Sequence, residues 1–86
     1  MPRIILPSFL SQRVGGIAPI EVAGPTAGAA LRTLEERYPA LRGWVLDEQG
    51  RVRAHVKLFL NGTEASLEHG TADSDELHIV AAISGG

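Results

Sequence analysis

The sequence predicts an α+β domain in which a mixed sheet of four or five strands packs against one main helix. Three observations support this: short strand-like segments on both sides of one helical segment, a defined start and stop for that helix, and an Asn-Gly dipeptide typical of hairpin turns. The predicted order is β-β-α-β-β-β. A hairpin followed by a helix that crosses to further strands is typical of a sheet covered on one face.

The first two strands are predicted on either side of a glycine turn. Residues 3–10 are apolar and are expected to be extended, with Pro7 as an interruption. A glycine pair at 15–16 indicates a turn. Residues 17–23 are predicted to form a short strand, because apolar Ile20 and Val22 alternate around the charged Glu21. We therefore expect a β-hairpin whose loop lies near residues 11–16.

The clearest element is a helix that starts after Thr26. The Thr26 hydroxyl can accept a hydrogen bond from a backbone N–H of the first turn, as an N-cap does. Pro39 ends the helix, because the residue before a proline disfavours the α conformation. Apolar residues recur at helical spacing on one face, and charged residues lie mostly on the other. The apolar face consists of Ala27, Ala30, Leu31, Leu34 and Tyr38.

Residues 40–53 are predicted to form a short helical turn that fills the core, followed by a polar loop. The turn contributes Leu41, Val45 and Leu46. We expect Trp44 in the core or at its rim, and stacking on a ligand is the less favoured alternative.

Three strands are predicted in the C-terminal half. Residues 54–60 form the first, and Asn61-Gly62 favours a type I′ turn into a short returning strand over residues 63–67. After a polar turn at residues 73–75, residues 76–83 form the last strand, which is the most apolar and is expected at the centre of the sheet. Alternation directs Val56, Leu58, Leu60, Leu77, Ile79 and Ile83 to one face, and His55, Lys57, Phe59, His78, Val80 and Ala82 to the other.

Composition narrows the classes of function. With 86 residues, the chain is expected to form one domain. A net charge of −2 argues against a nucleic-acid partner, and no apolar run reaches membrane-spanning length. The chain has no cysteine, which excludes disulfides and thiolate chemistry. Together with the lack of a secretory signal pattern, this favours a cytoplasmic protein.

A catalytic constellation is absent from the sequence. The three histidines, at 55, 69 and 78, lack metal-ligand spacing, and the acidic run at 73–76 lacks the spacing of a calcium loop. The glycines at 24–28 match neither common phosphate-binding pattern. We therefore expect neither an enzyme nor a bound metal or nucleotide in this chain.

Two features remain as candidates for function. The first is the tail Ser84-Gly85-Gly86, because two terminal glycines leave the Gly86 carboxylate slim enough for a narrow channel. A frayed end is the alternative.

The second is the face of the sheet that points away from the helix. Phe59, Val80 and Ala82 would form an apolar patch there, with Lys57 and His78 nearby, and such a patch favours a protein-binding site. Scattered surface apolar residues are the alternative reading.

Taken together, these features resemble the MoaD/ThiS family of sulfur-carrier proteins, which have the ubiquitin-like β-grasp fold. The resemblance depends on the strand order, the Asn61-Gly62 hairpin, the acidic turn before the last strand and the terminal Gly85-Gly86. The stretch from residue 34 to residue 51 is most similar to the carrier of cysteine biosynthesis. The sequence departs from the family pattern at two places, which bear on the choice of subfamily. Ser74 stands where many relatives have glycine, and Ala81-Ala82 stands where many relatives have a proline in the last strand.

The resemblance implies a β-grasp domain over residues 1–83 and a flexible tail over residues 84–86. It implies that Gly86 is adenylated by an E1-like enzyme of the MoeB/ThiF type, which uses ATP, and is then converted to a thiocarboxylate by a sulfur donor protein. Gly85 and Ser84 would form the narrow tail that carries Gly86 into the active site of the activating enzyme. A downstream enzyme would accept the sulfur. A protein modifier joined through Gly86 and a non-covalent β-grasp interaction module remain alternatives. The sulfur acceptor stays open among molybdopterin, thiazole, cysteine, tRNA and natural products.

Overall fold

The computed structural model describes residues 1–16 and 19–81 of the chain. These residues form five strands, two α-helices and two 3₁₀ turns. In chain order they are β1 (Arg3–Ile5), α1 (Ser8–Ser11), a 3₁₀ turn (Gln12–Val14), β2 (Ile20–Glu21), α2 (Ala27–Arg37), a 3₁₀ turn (Pro39–Leu41), β3 (Val56–Leu60), β4 (Thr63–Ala65) and β5 (Glu76–Ala81).

The strands form one mixed sheet in the order β2-β1-β5-β3-β4. β1 and β5 are parallel, while the other three pairs are antiparallel. The last strand is therefore central, as predicted. Its register places Leu77 beside Ile4 and Ile79 beside Leu58, and all four side chains are buried. Burying such a side chain stabilises the fold by about 1.5–3 kcal/mol relative to leaving it exposed.

The main helix, α2, has the predicted start, end and apolar face. The Thr26 hydroxyl accepts a hydrogen bond from the Ala29 N–H at 3.1 Å, and Ala27, Ala30, Leu31 and Leu34 are buried. In the described part of the chain, no helix is both long and apolar enough to cross a membrane.

Gly24 lets the chain pass close to α2. A Cβ atom at this position would lie only 2.4 Å from the backbone nitrogen of Ala30. The close approach of backbone to backbone therefore requires glycine between β2 and α2.

The prediction of an extended segment over residues 3–10 is wrong from Ser8 onward, where a helix begins directly after the extended Pro7. Residues 8–14 are helical, and a left-handed Gly15 (φ 77°) ends the segment. The helical turn places Leu10 and Val14, which are four residues apart, in the core together. The antiparallel pairing of β1 with β2 is confirmed. The predicted strand over residues 17–23 is too long at its end, because β2 stops at Glu21, and the connection between the two strands contains the helical residues 8–14 rather than a simple loop near residues 11–16.

The segment between α2 and β3 fills the core as predicted. Leu41, Val45 and Leu46 are buried, whereas Trp44 is 37% exposed and lies at the rim. The Trp44 ring meets Phe9 edge to face at 6.2 Å, and the Arg13 guanidinium lies 3.9 Å from the ring centroid.

Gly43, which precedes Trp44, has a left-handed backbone conformation. Its φ of 84° suits glycine, and its carbonyl accepts a hydrogen bond from Arg53 Nε. Burial raises the pKa of Glu35, while Arg42 and the hydrogen bond from Gly43 act against that rise. These contacts fix the loop that carries Trp44.

Candidate functional site

The side of the sheet opposite the core brings four of the predicted site residues together. Alternation along β3 and β5 directs Lys57, Phe59, His78 and Val80 to this side, which we call the outer sheet face. Phe59 lies directly beside His78, and Lys57 lies directly beside Val80. The predicted patch is therefore contiguous across the two strands. Ala82 lies outside the described residues.

The centre of the outer sheet face is apolar and accessible. Val80 is 46% exposed, which is high for a side chain of its type, and Phe59 is partly buried. Ile5 of β1 adds to this centre because its partner in the parallel β1–β5 pair is His78. An apolar patch with accessible aliphatic and aromatic groups is typical of a protein-binding surface.

Ile5 was missed by the sequence reasoning, because its pairing with His78 joins parts of the chain that are distant in sequence. A strand was predicted over residues 3–10, but no face was assigned to its residues. Because adjacent residues of a strand point to opposite sides, the fully buried Ile4 requires that Ile5 point outward.

Charged pairs frame this apolar centre. Arg3 pairs with Glu76, whose other oxygen lies 3.4 Å from His78 Nε2. At the other side, Lys57 Nζ lies 3.3 Å from Glu64 Oε2. These pairs are well exposed, and each contributes about 0–1 kcal/mol to stability. Their effect is to give the rim of the outer sheet face a fixed pattern of charge, which contributes to specificity more than to affinity.

The outer sheet face is continuous with the strand that precedes the tail. Val80, the last described residue of β5 on the outer sheet face, lies beside Lys57 of β3, and the strand ends at the next residue, Ala81. Five residues follow it, 82–86, and they can span up to about 17 Å when extended. The predicted tail residues Ser84, Gly85 and Gly86 lie outside the described residues, so their roles stay predictions.

One curated relative resembles the chain in sequence. It is small archaeal modifier protein 1 of Haloferax volcanii, 38% identical over 61 residues, which make up 71% of this chain and 70% of the relative. No family model matches the chain.

Solved structures resemble the whole fold. The crystal structure of the same Haloferax volcanii protein covers 99% of this chain and 98% of its own, with 32% identity and a TM-score of 0.83. The Amycolatopsis orientalis BexX/CysO complex contains a chain that matches over the full length of both, with 22% identity and a TM-score of 0.88. Mycobacterium tuberculosis CysO, at 24% identity, covers 96% of this chain and all of its own with a TM-score of 0.85.

The last two likenesses, both below 25% identity, concern the fold, and they confirm the β-grasp architecture. The sequence relative has the same architecture and is itself a small modifier protein. The chain therefore belongs to the ubiquitin-like β-grasp family of small sulfur-carrier and modifier proteins, of the MoaD/ThiS type.

Proposed function

We propose that this protein is a sulfur carrier whose C-terminal Gly86 is activated as an acyl-adenylate and converted to a thiocarboxylate. The observation that carries the proposal is the continuity of the outer sheet face with β5, the strand that leads toward Gly85-Gly86. Because the outer sheet face and the reactive Gly86 share one strand, a partner enzyme can bind the folded domain and hold the tail in its active site at the same time. Membership of the carrier and modifier family supports this arrangement.

The chemistry needs a partner enzyme because a carboxylate is a poor electrophile. Transfer of AMP from ATP to a Gly86 carboxylate oxygen releases pyrophosphate and provides a good leaving group. Attack by a sulfur nucleophile from a donor protein then forms a carbon–sulfur bond and expels AMP with the electron pair of the broken C–O bond. When that donor is a persulfide, a thiol then attacks the donor's own sulfur, the S–S bond breaks, and its electron pair leaves with the Gly86 thiocarboxylate while a disulfide forms on the donor side. In this scheme the chain is the substrate of the reaction, and ATP binds to the partner.

The residues of this chain supply docking and access. Phe59, Val80 and Ile5 bury apolar area against an E1-like adenylating enzyme of the MoeB/ThiF type, and the charged rim orients that enzyme. Gly85 and Gly86 pass through a narrow entrance to the active site because they carry no Cβ. A downstream sulfur-accepting enzyme then takes the thiocarboxylate. We place these reactions in the cytoplasm, where ATP is available.

Removal of Gly86 tests the proposal. We expect the chain that ends at Gly85 to keep the thermal unfolding midpoint of the full chain and to lose sulfur transfer, measured with an activating enzyme, ATP and a sulfur donor. A shortened chain that still forms thiocarboxylate at the rate of the full chain would contradict the proposal.

A further inference from the structure

An exposed tryptophan lies on the side of the sheet that the helices cover, away from the outer sheet face. Trp44 is 37% exposed. Phe9 meets its ring edge to face at 6.2 Å, and the Arg13 guanidinium lies 3.9 Å from the ring centroid. Phe9 and Arg13 belong to the helical segment 8–14, whose Leu10 is buried in the core. The packing of this segment therefore holds the aromatic pair in place and leaves part of Trp44 accessible.

Two further arginines lie next to Trp44. Arg42 is exposed and precedes it by two positions, and Arg53 Nε donates a hydrogen bond to the carbonyl of the intervening Gly43. This surface, which we call the Trp44 platform, carries three of the eight lysine and arginine residues of the chain. It is therefore cationic, although the net charge of the protein is −2. The platform consists of Phe9, Arg13, Arg42, Trp44 and Arg53.

The positive charge of the Trp44 platform is not neutralised by the residues that the structure describes. Among them, no carboxylate oxygen lies within ion-pair distance of the guanidinium groups of Arg13, Arg42 and Arg53. The neighbouring carboxylates face other surroundings. Asp47 Oδ1 accepts hydrogen bonds from two backbone N–H groups of its own turn, both at 2.9 Å, and Glu35 Oε2 is buried. The arginines are therefore available to carboxylates of another molecule.

We propose that the Trp44 platform binds an acidic segment of a partner protein in which carboxylates flank an apolar side chain. The carboxylates would pair with Arg13 and Arg42, since a guanidinium group matches a carboxylate in a bidentate geometry. The apolar side chain would pack against the accessible edge of Trp44 beside Phe9. Tryptophan and arginine are also the residue types that most often dominate the binding energy of protein interfaces.

A single-stranded nucleic acid fits the platform less well. Such ligands stack their bases on aromatic rings, but Arg13 already occupies one face of the Trp44 ring. The net charge of −2 also opposes the approach of a polyanion with many phosphates. An acidic protein segment needs neither ring stacking nor a basic surface that extends beyond the three arginines.

The Trp44 platform can be occupied while the outer sheet face is bound. The two surfaces lie on opposite sides of the sheet, and no residue of the platform belongs to β5 or to the tail. A protein held by its acidic segment would therefore stay attached to the carrier while another partner uses the outer sheet face. One aromatic pair and three arginines bury less area than a standard interface of about 1,600 Å², so this attachment is expected to be transient.

The fluorescence of Trp44 tests the proposal, because the chain has one tryptophan. The full chain is titrated at low salt with a capped peptide that has a central leucine and three glutamates on each side. Backbone amide shifts, recorded by NMR in the same titration, locate the site. We expect saturable binding that shifts the amides of Phe9, Arg13 and Trp44. The Kd should be at least about fivefold lower than that of the same peptide with glutamine in place of glutamate.

Two variants separate the platform from the net charge of the chain. Arg42→Gln removes one cation at an exposed position of the platform and is expected to raise the Kd about threefold or more. Arg32→Gln makes the same change in charge and is expected to leave the Kd unchanged. Arg32 is exposed on α2, and its Nη1 would lie 3.7 Å from a Cβ at Gly28, near the start of that helix.

Four results would overturn the proposal. They are the absence of saturable binding, equal affinity for the glutamate and glutamine peptides, equal effects of Arg42→Gln and Arg32→Gln, and tighter binding of a seven-nucleotide oligouridylate than of the glutamate peptide. The last result would assign the platform to nucleic acid. None of these outcomes bears on the activation of Gly86, because the titrations contain neither ATP nor an activating enzyme.

Discussion

The Asn61 side-chain amide donates a hydrogen bond to Asp75 Oδ1 at 2.8 Å and thereby joins the β3–β4 turn to the loop before β5. The Asn61 side-chain oxygen Oδ1 accepts from the Glu76 N–H at 2.9 Å, and the second Asp75 carboxylate oxygen accepts from the Ala72 N–H at 2.8 Å. Asn61 has a φ of 51° and Gly62 a φ of 86°, which are the left-handed conformations of a type I′ turn. The turn therefore fixes where β5 begins, and β5 carries the centre of the outer sheet face.

Replacement of Asn61 by glycine separates these hydrogen bonds from the turn conformation. Asn61→Gly keeps the positive φ and loses both side-chain hydrogen bonds, so we expect a loss of about 1–2 kcal/mol in the free energy of unfolding. Asn61→Ala is expected to lose about 1 kcal/mol more, because alanine resists the left-handed conformation. Urea unfolding measures both values. An Asn61→Gly protein as stable as the parent would show that the hydrogen bonds contribute nothing.

Asp75 should make the fold sensitive to acid. The Ala72 N–H, followed by the Asn61 amide, lowers the pKa of Asp75 in the folded protein. A lowered folded pKa stabilises the fold above the unfolded pKa of about 4, and this stabilisation disappears as the pH falls through the folded pKa. We expect the stability difference between the parent and Asp75→Asn to be largest at neutral pH and to shrink below about pH 4. Thermal unfolding from pH 7 to pH 2.5 measures this difference, and a constant difference would contradict the assignment.

The outer sheet face can be tested with a single carboxylate. Val80→Glu places a charge at the apolar centre, and burial of an unpaired charge against a partner is costly. We expect at least about a tenfold rise in the Kd for the activating enzyme, or about 1.4 kcal/mol. Ala40→Glu is the matched control, since Ala40 is exposed and lies in the 3₁₀ turn after α2 rather than in the sheet. Titration calorimetry compares the two variants, and equal Kd values would rule out docking through this face.

The parts of the fold with local signals were predictable. The start and end of α2 follow from Thr26 and Pro39, and the β3–β4 turn follows from Asn61-Gly62. The helical segment over residues 8–14 was missed because one turn of helix is too short to establish a period beside the apolar run that precedes it. The spacing of Leu10 and Val14, followed by Gly15, was the signal that could have revealed it.

The candidate site was predictable on β3 and β5 because strict alternation assigns each side chain to a face. The contribution of β1 was not predictable in the same way. Ile5 and Arg3 join the outer sheet face through the parallel pairing of β1 with β5, which links residues more than seventy positions apart. Pairing at that distance depends on the packing of the whole core and leaves no local pattern in the sequence.

The intact mass of the protein tests the central claim most directly. The full chain is incubated with an E1-like adenylating enzyme, ATP and a sulfur donor, and its mass is then measured without reduction or digestion. The account predicts an increase equal to the exchange of one oxygen for one sulfur, located in the peptide that ends at Gly86 and absent when ATP is omitted. An unchanged mass, under conditions in which the enzyme releases pyrophosphate in response to this chain, would contradict the claim that Gly86 carries sulfur.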